Sequence, residues 1–541
     1  MTTKPSMKAF TEQVTELPPG LSPVDNYAGE RLMTSPFHER QAALNLRDSW
    51  EAWNGYKFAN HYYDVEYEYI CIRNLCGTYD ITPMQKYLIE GPDAEAMLNR
   101  MVTRDVNKLK VGRVTYCCWC TDEGRMIDDG TIFKLDEGRY MLTSGSPSTA
   151  WLRMAAFGFE NVTYVDKTDD IGALSFQGPM TCEVLKKMGF EGIDTLKPFG
   201  IMHFPFAGDT IMISRTGFTG DLGYELWITA DKGLELWDAL YEAGADYGIQ
   251  PYGEAATSMA RLEAGFILPY VEFAESLKTV HFKHDQTPFE LGLGWLVDFK
   301  KPHFSGRAAL LEEKKRGPGY VLTKIEIEGN KPAEESHLYR DKACRKEIGW
   351  VTSAMWSPVV KSNIALAMIQ PKYLSGDIWA EISYKKEMKP RWKIAKCTVV
   401  DKPFYTPSRA KATPPPKFYS LKYRIKPMPE IALQQNCASL TDLVDAESFG
   451  AEIGAPSKQT DSGFYEDGPF FAGTWECEPG VMELDLDLTE FCHLLKGHWV
   501  LTSESGQVPE IKAGDSWVFP KGWKGKSDVK ETVRKVYMMI T

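Results

Sequence analysis

Residues 114–134 read VTYCCWCTDEGRMIDDGTIFK, two β-rich arms around Thr121-Asp122-Glu123-Gly124, a hairpin turn with a glycine available for positive φ. Asp128 and Asp129 fall inside the second arm, where aspartate is depleted. Neighbouring strand residues point to opposite faces, so at most one of the two reaches an inner cavity. An inward carboxylate needs a partner, because burying a bare charge is costly. Spacing alone leaves open whether that carboxylate is structural, satisfied by backbone N–H groups, or chemical.

Two further stretches share this character. SRTGFTGDLGYELW (214–227) puts three glycines within seven residues, then Tyr224, Glu225 and Trp227 on a strand. ARLEAGFILPY (260–270) is a helix end capped by Gly265, where Arg261 and Glu263 suit either an ion pair or a site. Short β-patterned runs alternate with helical ones from about 80 to 300, an α+β habit.

Outward from this region the chain divides by composition. An arm rich in Pro, Gly and Ser opens residues 1–60, and 39–60 reads as helix-like and aromatic, with Trp50, Trp53, Tyr56 and Phe58. The α+β region spans 61–317, and the strand-rich stretch 318–406 suggests a small barrel. PSRAKATPPPKF makes 407–419 a stiff, extended linker, and 420–541 reads as an all-β module.

The 541 residues carry 62 Lys and Arg against 74 Asp and Glu, a formal net charge of −12. That balance gives no electrostatic reason to hold nucleic acid or an anionic membrane. No GxGxxG follows a strand and no GxxxxGK[ST] occurs, so no flavin, nicotinamide or P-loop nucleotide site is expected. The start lacks an apolar targeting run and no 18 apolar residues are contiguous, so a soluble cytoplasmic protein is expected. Eleven irregularly spaced cysteines suit reduced thiols, and Cys117, Cys118 and Cys120 read as buried strand residues rather than metal ligands.

Together the hairpin, SRTGFTGDLGYE, LSFQGP (174–179), RLEAG (261–265), TPFELGLGWLVDF (287–299), FSGRAAL (304–310), VTSAMWSP (351–358) and DKPFY (401–405) resemble, in order, the glycine cleavage T-protein family. The resemblance covers about residues 65–407 and implies a three-lobed α+β fold with a small β-barrel around a tetrahydrofolate channel. It implies Asp129 as the catalytic carboxylate and Tyr116, Phe218 and Glu225 as folate contacts, with Trp119 and Trp295 as further walls. Glu225 in this reading accepts from the N–H edge of the pterin.

Two positions depart from the family pattern. Thr82-Pro83-Met84 stands where the T-protein has Ser-His-Met, and Thr257 where it has Arg. Tyr62, Tyr63, Tyr67 and Tyr69 precede the first matching strand, and rings of this kind can surround an organic cation. Tyr62, Tyr63, Met84, Thr257 and Arg261 are the expected donor contacts. The expected activity is transfer of a methyl group from a small methylated onium or amine compound to tetrahydrofolate. The alternatives are a glycine-cleavage-type aminomethyltransferase and a folate-binding regulatory protein without turnover.

The C-terminal module resembles a cupin that carries a WEC-x-PG motif, through GTWECEPG (473–480), EFCHLLKGHWVLT (490–502), AGDSWVFPKGWKG (513–525) and VRKVYMMI (533–540). Of the usual metal motif only Glu490 is present, and the later His position is Gly525. Glu490 and His493 are three apart on a strand and face opposite ways. A metal-free barrel is expected, serving docking, association of copies into a homo-oligomer, or shaping of the channel mouth.

Overall fold

The computed structural model describes residues 24–25, 31–278, 285–416 and 432–541. The chain forms two compact units, Met1–Arg424 and Ile425–Thr541.

The first unit is built on two mixed layers. A five-stranded sheet runs Thr163–Asp166, Gln85–Glu90, Arg139–Ser144, Met126–Asp136 and Arg113–Cys120. A six-stranded sheet runs Ile201–Phe206, Asp209–Ser214, Gly223–Thr229, Ile171–Gln177, Cys76–Asp80 and Ile249–Pro251. Strand alternation explains how both are buried on two faces. In the first sheet Cys117, Trp119, Ile132, Tyr140 and Leu142 pack with Met97, Leu98 and Leu152 of the helices Ala94–Met101 and Thr149–Ala156. In the second, Leu174, Phe176, Tyr224, Leu226 and Ile228 pack with Val184, Leu236 and Leu240 of the helices Thr181–Lys187 and Gly233–Gly244. The opposite faces meet in a shared core, where Val114, Phe133 and Met141 of the first sheet join Tyr79, Ala173 and Trp227 of the second. Phe133 and Trp227 cross edge to face at 5.4 Å.

The helix Glu254–Ala264 closes this core with Ala256 and Ala260, and Leu262 packs on Ile364 and Leu366 of a closed six-stranded barrel between Val321 and Val400. Two buried ion pairs fasten the helix. Arg261 pairs with Glu272 at 3.1 Å and donates to Ser353 Oγ at 2.8 Å, while Glu263 accepts from Arg73 at 2.7 Å, from Ser357 Oγ and from Tyr69. Breaking such a buried pair costs about 3–5 kcal/mol.

Residues 39–60 are not one helical run. The helix is His38–Leu44, and the rest is the hairpin Ser49–Trp53 and Tyr56–His61. Its two-residue turn is Asn54-Gly55, with φ of 48° and 83°, and Asn-Gly is the commonest way to supply two positive φ values in series. The linker reading of 407–419 is also corrected for its described residues, 407–416. Arg409 donates to Asp221 at 2.6 and 2.8 Å and to the Arg73 carbonyl, and Arg215 donates to Thr413 Oγ1 and the Ala412 carbonyl. This segment is held because Arg409 meets buried acceptors in the first unit and Arg215 of the glycine loop reaches acceptors on the segment.

The second unit is a curled antiparallel sheet of nine strands in which Thr489–Ser503 pairs with Lys524–Ile540 along most of its length. Trp475, Cys492, Leu494, Trp499, Leu501, Phe519 and Val533 fill it.

Candidate functional site

The Asp128-Asp129-Gly130 triplet resolves by strand alternation. Asp129, Thr131 and Phe133 share a face, and Phe133 belongs to the core between the two sheets. Asp128 points the other way and is buried, its two oxygens accepting from the backbone N–H of Asp129 at 2.9 Å and of Ser146 at 3.1 Å. It is the structural carboxylate of the pair. Gly130 is required by close approach, since a Cβ there would lie 2.0 Å from the Thr143 carbonyl oxygen.

Asp129 is half-buried and accepts a short hydrogen bond from the Tyr116 hydroxyl. Tyr116 lies on the neighbouring strand, diagonal to Asp129 across the Cys118–Asp129 pair. Burial pushes the Asp129 carboxyl up to about 6, and the Tyr116 hydroxyl opposes that rise. Burial and the adjacent Asp129 charge push Asp128 up as well. Trp295 stands over Tyr116 at 6.2 Å between ring centroids, 65% exposed, with the Arg104 guanidinium 5.3 Å from its ring.

Glu225 enters from the second sheet. It shares a face with Trp227, hence with the inter-sheet core, and accepts from Ser214 Oγ at 3.3 Å and Thr216 Oγ1. Burial pushes it up to about 7, against these two hydroxyls. The loop before it folds around one amide. Gln177 donates to the Tyr224 carbonyl and accepts from Thr219 Oγ1, and a Cβ on Gly217 or Gly223 would strike its side chain at 2.2 or 2.0 Å. Gly220, at φ 68°, sits where a Cβ would meet Ala264 at 2.5 Å. LSFQGP, the glycine loop and RLEAG are therefore one packing unit. Phe218 at its tip stacks on Phe266 at 5.8 Å.

Asp129 thus shares a strand face with Phe133, and Glu225 with Trp227, whose rings meet between the sheets; Tyr116 and Trp295 stand beside Asp129, and Phe218 is in the loop preceding the strand of Glu225. Trp119 does not join them. It is 1% exposed in the core on the helix side of its sheet, because an odd separation from Tyr116 turns it to the other face. Arg261 pairs with Glu272 and donates to Ser353, and buried Thr257 bonds the Gly253 carbonyl one turn earlier, so both are engaged within the protein. The tyrosines form no cage. Tyr62 and Tyr69 are buried, Tyr69 holds Glu263, and Tyr63 contacts Tyr62 and Tyr67 at 6.4 Å each. Met84 packs against the inter-sheet core.

Sequence reasoning missed the residues that complete the layer. Tyr79 donates to Glu254 Oε2 at 2.7 Å and stacks on Tyr252 at 5.7 Å, and Tyr252 contacts Ser175. Burial raises the Glu254 carboxyl. Phe58, Trp53, Met84 and Met259 pack around the same core. An acidic residue at the first turn of an apolar helix was the available signal for Glu254, and it reads equally well as dipole compensation.

In the second unit Glu490 is inward and 1% exposed, but its partner is Lys535 at 2.6 Å. His493 is on the outer side and bonds Ser516 Oγ. Among the described residues no group of His, Cys, Asp and Glu is arranged to hold a metal ion. Cys117, Cys118 and Cys120 are buried free thiols. Among the described residues no helix is long and apolar enough to cross a membrane.

The pattern of the GCVT N-terminal domain matches residues 37–301, that of the glycine cleavage T-protein C-terminal barrel domain residues 321–406, and that of the EutQ-like cupin domain residues 464–537. The chain is similar to an aminomethyltransferase of Caldanaerobacter subterraneus subsp. tengcongensis, 34% identical over 343 residues, which are 62% of this chain and 87% of that protein. It is also similar to an aminomethyltransferase of Halothermothrix orenii, 32% identical over 59% of this chain and 86% of that protein. The crystal structure of the glycine cleavage system aminomethyltransferase T of Bartonella henselae shares the fold, with a TM-score of 0.60 and 24% identity over 69% of this chain and 98% of that one.

Proposed function

The chain belongs to the glycine cleavage T-protein family, and on that premise we propose that this tetrahydrofolate-dependent one-carbon transferase is a demethylase whose donor is a small methylated onium or amine cation. The family partner suits the site. A carboxylate held by two hydroxyls, Glu225, matches a pterin edge that offers adjacent N–H donors, and Tyr116, Trp295 and Phe218 are rings able to cover a flat heterocycle. When bound, tetrahydrofolate supplies the nitrogen that takes up the one-carbon unit.

The observation that carries the donor class is Glu254. Where the T-protein pattern has an arginine, this chain has buried Thr257, and one helical turn before it stands a carboxylate held by Tyr79, whose ring stacks on Tyr252 in the inter-sheet core. A cation-bearing position has become an acid–aromatic one, which attracts a positively charged donor. Asp129 lies in the same inter-sheet layer. As the methyl group leaves the cationic centre, the bonding pair stays on the nitrogen or sulfur, which becomes neutral. The carboxylate of Asp129, oriented by the Tyr116 hydroxyl, accepts the proton released at the acceptor nitrogen. Holding both substrates in one site supplies proximity.

A panel of methylated ammonium and sulfonium compounds, incubated with tetrahydrofolate and the protein, is expected to give 5-methyltetrahydrofolate. Glu254→Gln is expected to raise the donor KM about tenfold or more and leave the folate KM unchanged. Turnover of an aminomethyl donor to the methylene form alone, with no methyl product from any cation, would overturn the proposal in favour of the glycine-cleavage activity for which the relatives are named.

A further inference from the structure

The interior of the second unit holds buried polar atoms that its own groups leave unpaired. Lys535, 1% exposed, occupies its centre. The ammonium lies 2.6 Å from Glu490 Oε1 and 3.6 Å from Cys492 Sγ. The ring centroids of Phe449, Trp475, Trp499, Tyr537 and Phe519 surround it at 4.4, 4.9, 5.5, 5.7 and 5.9 Å. Cross-strand partners share a face, so Asp461, Trp475 and Lys535 form one inward row, and Tyr537, Cys492 and Trp517 form the next. Tyr537 donates to Asp461 Oδ2 at 3.1 Å, and a Cβ at Gly473 would come within 2.7 Å of that hydroxyl.

Each carboxylate keeps one oxygen without a partner, Glu490 Oε2 and Asp461 Oδ1, both shut off from solvent, and the indole N–H of Trp517 on the neighbouring row is likewise unpaired. Leaving such an acceptor unmet costs about 1–3 kcal/mol or more for a charged group. Two carboxylates against one ammonium also leave this space with a formal charge of −1. A partner that donates hydrogen bonds and carries positive charge suits these two oxygens among aromatic walls. A protonated primary amine has three donors and the right charge. A quaternary ammonium has no donor, a carboxylate would add like charge, and a transition ion finds no imidazole ligand among these residues.

We infer that the cupin barrel is a binding site for a small primary alkylammonium ion, held between Glu490 Oε2 and Asp461 Oδ1. The site is separate from the folate layer and from any donor bound there. The test is calorimetric titration of the full chain carrying Glu254→Gln, which removes the acidic residue proposed to hold a cation in the first unit. Methylammonium chloride is the probe, with tetramethylammonium chloride and sodium acetate beside it. Methylammonium is expected to bind saturably, and the other two are expected to give no heat of binding. Adding Glu490→Gln or Asp461→Asn is expected to weaken methylammonium at least tenfold. Asp461 is half-buried, so Asp461→Asn keeps the test valid if Glu490→Gln unfolds the barrel, which circular dichroism would reveal. No binding of methylammonium, an unchanged affinity in Asp461→Asn, or binding of acetate in its place would each overturn the inference.

Discussion

Asparagine at position 129 removes charge while leaving shape nearly unchanged. The Tyr116 hydroxyl that now donates to Asp129 still finds an acceptor in the amide oxygen, so the local geometry survives the change. What disappears is a negative charge in a half-buried position, where a preorganised group of this kind contributes about 10²-fold to turnover, or about 2.7 kcal/mol. Position 128 supplies the internal control, because its carboxylate accepts two backbone N–H groups on two different oxygens. An amide has one oxygen, so Asp128→Asn turns an NH2 toward a backbone N–H and costs about 1–3 kcal/mol of stability. The relief of Asp129 repulsion places the cost at the lower end. The two substitutions should separate cleanly: Asp129→Asn loses rate at constant melting temperature, and Asp128→Asn loses a few degrees while its folded fraction keeps most of the rate. The assay is initial rate of methyltetrahydrofolate formation beside thermal unfolding for each variant. Equal loss of rate in both variants, or full rate in Asp129→Asn, would refute the reasoning from strand alternation.

Other outcomes follow from neighbouring features. Glu225 has a folded pKa of about 7 against an ordinary 4.5, so the native state holds a proton that the unfolded chain has released. Its contribution to stability is present below about pH 4.5 and is lost as pH rises toward 7; the melting temperature of Glu225→Gln should therefore gain on wild type across that window and run parallel above it. Trp119→Ala should destabilise by about 3–5 kcal/mol through the cavity it leaves, whereas Trp295→Ala, at an exposed ring, should weaken tetrahydrofolate binding without moving the unfolding midpoint. Lys535→Met strands Glu490 in an apolar interior and should cost about 3–5 kcal/mol in the denaturant transition of the second unit, part of it restored by adding Glu490→Gln. Elemental analysis of untagged protein should find no stoichiometric transition metal, and one that is lost on His493→Ala would count against the internal ammonium as the barrel's cation.

Much of this architecture could be read in the sequence, for reasons specific to particular residues. The alternation that separates Asp128 from Asp129 depends only on strand period, and it places Tyr116 and Trp119 on opposite faces by the same rule, although the sequence reading offered Trp119 as a wall. The hairpin at 49–61 announced itself in Asn54-Gly55, a signal outweighed by the aromatic density around it. Tyr79 and Glu254 were not legible, because their pairing spans 175 positions and neither lies in a recognisable motif. Lys535 was equally hidden. One lysine in a strand reads as a solvated charge, and only the curl of the sheet turns it toward five rings.

The contact of Arg409 with Asp221 bears on where the first unit can be cut without loss. Asp221 sits in the glycine loop that positions Glu225, and it is neutralised from one side by Arg73 and from the other by an arginine that lies beyond the last barrel strand. A folate unit cut at residue 406 would keep every strand yet leave that carboxylate half-compensated and the Arg73 carbonyl bare. The structural edge of the first unit therefore lies beyond the last barrel strand, because the segment that carries Arg409 completes the charge balance of the glycine loop.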